Sequence, residues 1–367
     1  MHMKKNFFLR TAAACLAAVL LYPVNVEAIS AKNAILMDGN TGRILYEKRA
    51  NEKSLVASCT KIMTALVVCE QCNVLDRVRI PKEAVGVEGS SMYLQPGEVL
   101  TVQELLYGLM LHSGNDAALA LAIYCGGTVE GFAEMMNDKA RLLELSCTHF
   151  TNPHGLDAPD HYSSARDLAM LASYAMKNPI FAKTVSTKQV TIGNRYLTNH
   201  NKLLWQCDGA DGVKTGYTKA AGRILVSSAV RQGRRLVCVT VDDGNDWQDH
   251  KTLYDQYFPV FQPQTVIRAG DVAGKLPVFG GTEGYVELIA AEDLTFALAS
   301  EEKASIHLQT KAFVYAPVVE NGKAGWAYLL VDGEPVGRVA LVYGKTVEQT
   351  LPEKRSFWRR IFGGDEQ

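Results

Sequence analysis

The chain has 367 residues, 47% apolar and 21% charged, with 30 glycines and 12 prolines, which excludes a collagen-like, low-complexity or intrinsically disordered protein. At roughly 150 residues per domain, that length is enough for two folded units with cores of their own. With 38 basic against 39 acidic side chains and no block of like charge, nothing would hold a phosphate backbone, so no nucleic-acid partner is expected.

Residues 1–10 carry Lys4, Lys5 and Arg10 and no acid, residues 11–21 are almost wholly apolar, and Pro23 then breaks the run. Val26-Glu27-Ala28 supplies small residues at the positions a signal peptidase reads. An apolar run of about a dozen residues is short of the roughly 20 that a spanning helix needs. Residues 1–28 are therefore read as a signal peptide, leaving a slightly acidic, exported chain. Cys15 leaves with it, and the seven remaining cysteines are odd in number, so at least one is unpaired or pairs between chains. Cys69 and Cys72 form a CxxC, but no second CxxC or His pair completes a zinc set, so they are read as structural thiols.

The mature chain opens with two β-rich runs, 33–38 and 43–48, separated by Gly39-Asn40-Thr41-Gly42, the pattern of a hairpin. Residues 58–69 have few helix breakers and an apolar face of Ile62, Met63, Leu66 and Val67; further helices are expected at 102–112, 116–124, 129–145 and 165–176. A turn-rich stretch fills 151–164. Strand patterning returns at 214–218, 224–230 and 236–241, and a helix is expected at 247–258. Strands at both ends with helices between them give an α+β layout, one antiparallel sheet with a helical cluster, over residues 29–262. Residues 263–350 then alternate short strand-like runs with turns and read as a small all-β domain with a positioning or binding role. The tail, 351–367, contains Phe357-Trp358-Arg359-Arg360-Ile361-Phe362, aromatic and basic together, and reads either as a frayed end or as a peripheral membrane-surface contact.

Three short patterns occur in order: Ser58-Cys59-Thr60-Lys61, Ser113-Gly114-Asn115 and Lys214-Thr215-Gly216. Each alone is weak; Ser300-Glu301-Glu302-Lys303 also matches S-x-x-K on a polar face. Ser58 differs by its context, at the expected start of an apolar helix, where serine is a favoured capping residue and the helix dipole favours developing negative charge. Lys61, three residues on, shares its face. A serine hydroxyl becomes a competent nucleophile only when a base takes its proton, and lysine serves as that base only if its pKa falls well below about 10.4. Desolvation and a second cation, Lys214, both act in that direction. Ser113 and Asn115, on a turn between helices, offer a hydroxyl relay and an amide for a substrate peptide group, while Lys214 and Thr215 can bind a carboxylate. Taken separately, these positions read as a cap, a surface lysine, a turn and a strand end.

The fuller stretches Ala57-Ser58-Cys59-Thr60-Lys61-Ile62-Met63-Thr64, Leu111-His112-Ser113-Gly114-Asn115-Asp116-Ala117, Asn152-Pro153-His154-Gly155-Leu156-Asp157 and Asp211-Gly212-Val213-Lys214-Thr215-Gly216-Tyr217-Thr218 resemble the low-molecular-mass penicillin-binding proteins, the serine D-alanyl-D-alanine carboxypeptidases. The resemblance implies a β-lactamase/transpeptidase-like fold and an enzyme that removes terminal D-alanine from peptidoglycan stem peptides through an acyl-enzyme on Ser58. It implies no metal or cofactor, and β-lactam antibiotics as covalent inhibitors. Lys61 would accept the proton, Ser113 pass it on, and the backbone N–H groups of Ser58 and Tyr217 form the oxyanion hole. The substrate carboxylate would meet Lys214 and Thr215, helped from Asn199-His200-Asn201. The family often carries arginine where His200 stands, and a neutral histidine would bind carboxylate more weakly and in a pH-dependent way. Cys59 faces away from the Ser58 and Lys61 side and is expected in the core, and His154 and Asp167 are read as loop packing and helix capping. A β-lactamase would add a glutamate in the loop after Ser113 to activate water, and 151–164 contains none. The other rival is a catalytically idle wall-binding scaffold.

Overall fold

The computed structural model describes residues 29–350, so the expected signal peptide and tail lie outside the described residues. The chain divides into two compact units on either side of the Phe261–Gln262 boundary.

In the first unit the opening hairpin is β1 (Asn33–Asp38) and β2 (Ile44–Lys48), followed by a tight 3-10 turn, Ala57–Thr60, and helix α1 (Lys61–Gln71). Two three-residue strands, β3 (Arg77–Arg79) and β4 (Val99–Thr101), precede α2 (Val102–Leu111), α3 (Asn115–Gly126), α4 (Val129–Leu142), α5 (Ala165–Ala175) and α6 (Pro179–Ser186). A hairpin of β5 (Gln189–Ile192) and β6 (Arg195–Thr198) and the short α7 (Leu203–Gln206) lead into β7 (Ala210–Thr218), β8 (Gly222–Arg231), β9 (Arg234–Val241) and α8 (Asp246–Val260). The main sheet runs β2-β1-β9-β8-β7, every neighbour antiparallel. The two ends of the unit thus meet in one sheet, as the strand pattern implied, and β7 is left as an edge.

The two-residue period of the strands divides the sheet's partners. Ile224, Val226, Val237, Val239 and Val241 face the helical cluster. Ser227 and Thr240 face α8 instead, where their hydroxyls hold the two ring nitrogens of His250 at 2.6 and 3.0 Å. Helix α1 is buried from Lys61 through Cys69, the pattern of a helix enclosed on all sides. A capping box of Thr101 and Glu104 starts α2, and Asn178 caps α6 with proline at its first position. Neither α6, the β5–β6 hairpin nor the β3–β4 pair was anticipated from sequence. The seven described cysteines are free thiols.

The second unit is all β: β10 (Gln262–Ile267), β11 (Val272–Phe279), β12 (Tyr285–Ala290), β13 (Leu294–Leu298), β14 (Ala304–Thr310), β15 (Val314–Tyr315), β16 (Lys323–Val331) and β17 (Glu334–Tyr343). Six strands form a sheet in the order β14-β16-β17-β12-β11-β15, and β10 pairs with β13. Its core is made by alternate residues such as Val286, Leu288, Ala327, Leu329, Val339 and Leu341.

Candidate active site

The 3-10 turn that carries Ser58 starts from Ala57 at a positive φ of 43°, a strained conformation for a side-chain-bearing residue. Ser58 therefore sits inside a tight turn; the N-cap of that turn is Val56 and the N-cap of α1 is Thr60, which corrects the expectation that Ser58 caps the helix. The loop after α4 clamps the turn. Thr60 Oγ1 lies 2.8 Å from His161 Nε2, and the Thr64 hydroxyl donates to the Pro153 carbonyl at 2.6 Å. Gly155, at φ +87°, passes so close that a Cβ there would lie 1.9 Å from the Ala57 carbonyl oxygen.

Lys61 is fully buried, and its Nζ has three neighbours: Ser58 Oγ at 3.0 Å, Asn115 Oδ1 at 2.7 Å and the His154 carbonyl at 2.6 Å. Burial, and then the charge of Lys214, hold its pKa well below the ordinary value, with Cys59 and Asp116 opposing. A neutral amine has two N–H donors and one lone pair. The amide and carbonyl oxygens take the donors, which leaves the lone pair for the Ser58 hydroxyl proton. Lys214 is buried too, its pKa brought down to about 8 by desolvation, and its Nζ donates to the Thr215 carbonyl at 2.7 Å.

Ser58, Ser113, His200, Thr215, Gly216 and Tyr217 line one cavity of about 470 Å³. Ser113 enters it from the α2–α3 turn at φ 62°. Asn115 Oδ1 accepts from Lys61 Nζ and its Nδ2 donates to the Glu88 carbonyl at 2.6 Å, two partners within the protein that the sequence did not disclose. Of Asn199-His200-Asn201, His200 alone reaches the cavity. Asn199 donates to the Val185 and Thr187 carbonyls, and Asn201 Oδ1 accepts from Leu203 N. Desolvation, Lys214 and His112 bring the His200 pKa down to about 4, so its ring is neutral near neutral pH. Cys59 is buried as expected, but it packs under the site's own strand: its Sγ approaches the Lys214 carbonyl at 3.8 Å and fills the space a Cβ on Gly216 would need. Asp167 receives Cys147 N and the Thr148 hydroxyl, and Ser164 caps its own N–H.

Sequence reasoning missed several residues. Arg223, Asp246 and Trp247 line the same cavity, with the Arg223 guanidinium bidentate on Asp246, Nη2 to Oδ1 at 2.7 Å and Nε to Oδ2 at 3.1 Å. The β7–β8 register sets Arg223 opposite Tyr217 and so brings it to the cavity. Asp116 was also overlooked; its buried carboxylate accepts from Ser91 Oγ, Met92 N and Leu94 N and so fixes the loop that brings Ser90 to the cavity. Among the described residues no three His, Cys, Asp or Glu side chains converge as metal ligands do.

Residues 22–245 match the D-alanyl-D-alanine carboxypeptidase family, and residues 261–349 match the penicillin-binding protein 5 C-terminal domain. The chain is 33% identical to D-alanyl-D-alanine carboxypeptidase DacF of Bacillus subtilis over 84% of its own length and 83% of that protein's. It is likewise 33% identical to D-alanyl-D-alanine carboxypeptidase DacC of Escherichia coli, covering 89% of this chain and 86% of the relative. Among solved structures, penicillin binding protein 5 from Haemophilus influenzae superposes with a TM-score of 0.78 at 30% identity, over 88% of this chain and 99% of that one. With the antiparallel sheet, the helical cluster and the following β unit all in place, the chain belongs to the D-alanyl-D-alanine carboxypeptidase family of serine peptidases.

Proposed function

We propose that this enzyme works through an acyl-enzyme on Ser58. Neutral Lys61 takes the hydroxyl proton as Ser58 Oγ attacks the carbonyl carbon of the penultimate D-alanine of a peptidoglycan stem peptide. The oxyanion is held by the N–H groups of Ser58 and Tyr217, an arrangement in which each donor contributes about 3 to 4 kcal/mol in comparable hydrolases. The C–N bond breaks, and the departing amine of terminal D-alanine receives the proton by way of Ser113. Water then adds to the ester, returning the proton to Ser58 and freeing the shortened peptide. Edge strand β7 offers unpaired backbone groups to an extended peptide. Lys214 and Thr215 take the terminal carboxylate, with His200 as a neutral donor beside them, while Asn115 sets the orientation of Lys61.

The observation that carries this reading is a buried amine, 3.0 Å from a serine hydroxyl and held below its usual pKa by burial and a second lysine. Its test is labelling with a radioactive penicillin alongside D-alanine release from a short peptide ending in D-Ala-D-Ala. Ser58→Ala is expected to abolish both; an adduct mapped by mass spectrometry to any other residue rejects the assignment.

Such a substrate lies outside the cytoplasm, so we place the protein, exported by residues 1–28, in the cell wall or on the outer face of the membrane, acting in wall biogenesis and cell shape. No helix among the described residues is long and apolar enough to cross a bilayer. The basic-aromatic tail, 351–367, supplies peripheral membrane contact. Truncation after Lys354 should move the protein from the membrane to the soluble fraction with turnover unchanged, and an unaltered partition would remove that role.

A further inference from the structure

The second unit has a cavity of about 820 Å³ that the chemistry above does not use. It is built by strand alternation. Where β11 pairs with β15, Val278 and Val314 face the core and the alternate residues Phe279 and Tyr315 face outward. Phe279, Phe313 and Tyr315 pack against one another with centroids 5.2 to 6.3 Å apart, yet Tyr315 remains 71% exposed and Phe313 42%. Phe313, Tyr315 and Tyr343 line the cavity together with Lys311 and Lys323, and no acidic side chain lines it. Neither lysine forms an ion pair with a described residue; Lys323 Nζ sits 4.7 Å from the Trp326 ring centre.

Partly exposed rings beside ammonium groups that have no carboxylate partner among the described residues suit a ligand that has both flat C–H surfaces and carboxylates. The volume falls within the roughly 300 to 1,000 Å³ of a discrete ligand site. A bilayer surface would call for a protruding patch, and these rings border a concavity. Pyranose rings carrying acidic peptides combine the two required features in one polymer. We infer that this cavity is a second binding site, taking an acidic glycopeptide segment of peptidoglycan. It would hold the enzyme on the polymer whose peptide ends the first unit trims. The choice of ligand rests on the substrate reading above; the cavity's aromatic and cationic character does not.

The experiment is co-sedimentation of the full chain with insoluble peptidoglycan after its cleft has been blocked by penicillin. Failure of penicillin to attach would strike the substrate reading. The blocked protein is expected to sediment, and Phe313→Ala/Tyr315→Ala is expected to weaken binding about tenfold or more. Lys311→Gln/Lys323→Gln should weaken it too and flatten its salt dependence. The unblocked variants should release D-alanine from a short soluble peptide at the parent rate, because these side chains are exposed and outside the first unit. Unchanged sedimentation of both variants would overturn the inference. So would vesicles of anionic phospholipid that lose the variants while peptidoglycan retains them.

Discussion

The base we propose for this site is made by where one nitrogen sits. Lys61 is buried among a hydroxyl, an amide oxygen and a main-chain carbonyl, and a charged ammonium in that position would also face the buried Lys214. The residues proposed to carry this chemistry were legible because they recur as short patterns in a fixed order. The His154 and Glu88 carbonyls that complete the setting were not, since a main-chain acceptor has no residue signature. His200 is the residue most open to test. In the proposed mechanism its neutral ring offers a substrate carboxylate a hydrogen bond without a charge. His200→Arg supplies a permanent cation, and a charge-assisted bond exceeds a neutral one by about 1 kcal/mol, so KM for a short D-Ala-D-Ala peptide should fall several-fold with little change in kcat. A KM that does not move in steady-state kinetics would mean that the carboxylate does not reach position 200.

Among the elements, the 3-10 turn at Ala57–Thr60 depends on the loop behind it. Gly155 is glycine for two separate reasons, a positive φ and a backbone carbonyl where a Cβ would stand, whereas Gly193, at φ +59°, has nothing within 4 Å. Gly193→Ala should therefore cost only the backbone term, about 1 to 2 kcal/mol. Gly155→Ala should cost about 3 kcal/mol or more and slow acylation by penicillin, because the turn bearing Ser58 must shift. Urea denaturation of the two variants with acylation rates alongside checks this; equal losses would show that the contact with Ala57 is unimportant. Long apolar elements such as α1 and the β8–β9 hairpin were readable from their periods. The β5–β6 hairpin has four-residue strands around Gly193-Asn194, too short for alternation to rise above chance, although that dipeptide is itself a turn signal. The strain at Ala57 had no signal in the sequence at all.

For the whole molecule, buried histidines set the acid limit. Burial brings His154 and His161 down to about 4 and His250 to about 3, from an ordinary 6.5. As pH falls through 6.5 the unfolded chain takes up protons that the folded one refuses, so stability drops progressively toward about pH 4. Asp243, raised by burial, works the other way, but it is one group against four, since His200 is lowered to about 4 as well. The urea midpoint should therefore decrease steadily from about pH 7 to about pH 4.5, and a flat profile would contradict the assignment of neutral, buried imidazoles. The two-unit organisation was visible in sequence as a change of texture near Pro263, because alternating short strands look different from long helices. Local geometry marked Cys59, adjacent in sequence to the proposed nucleophile, as core, but did not disclose that what covers it is β7, with its thiol pushed up to about 12. An electrophile entering the cleft therefore meets an oxygen and never this sulfur, so the enzyme keeps a soft, oxidisable atom one residue from its reaction centre without the cross-reactivity an accessible thiolate would bring.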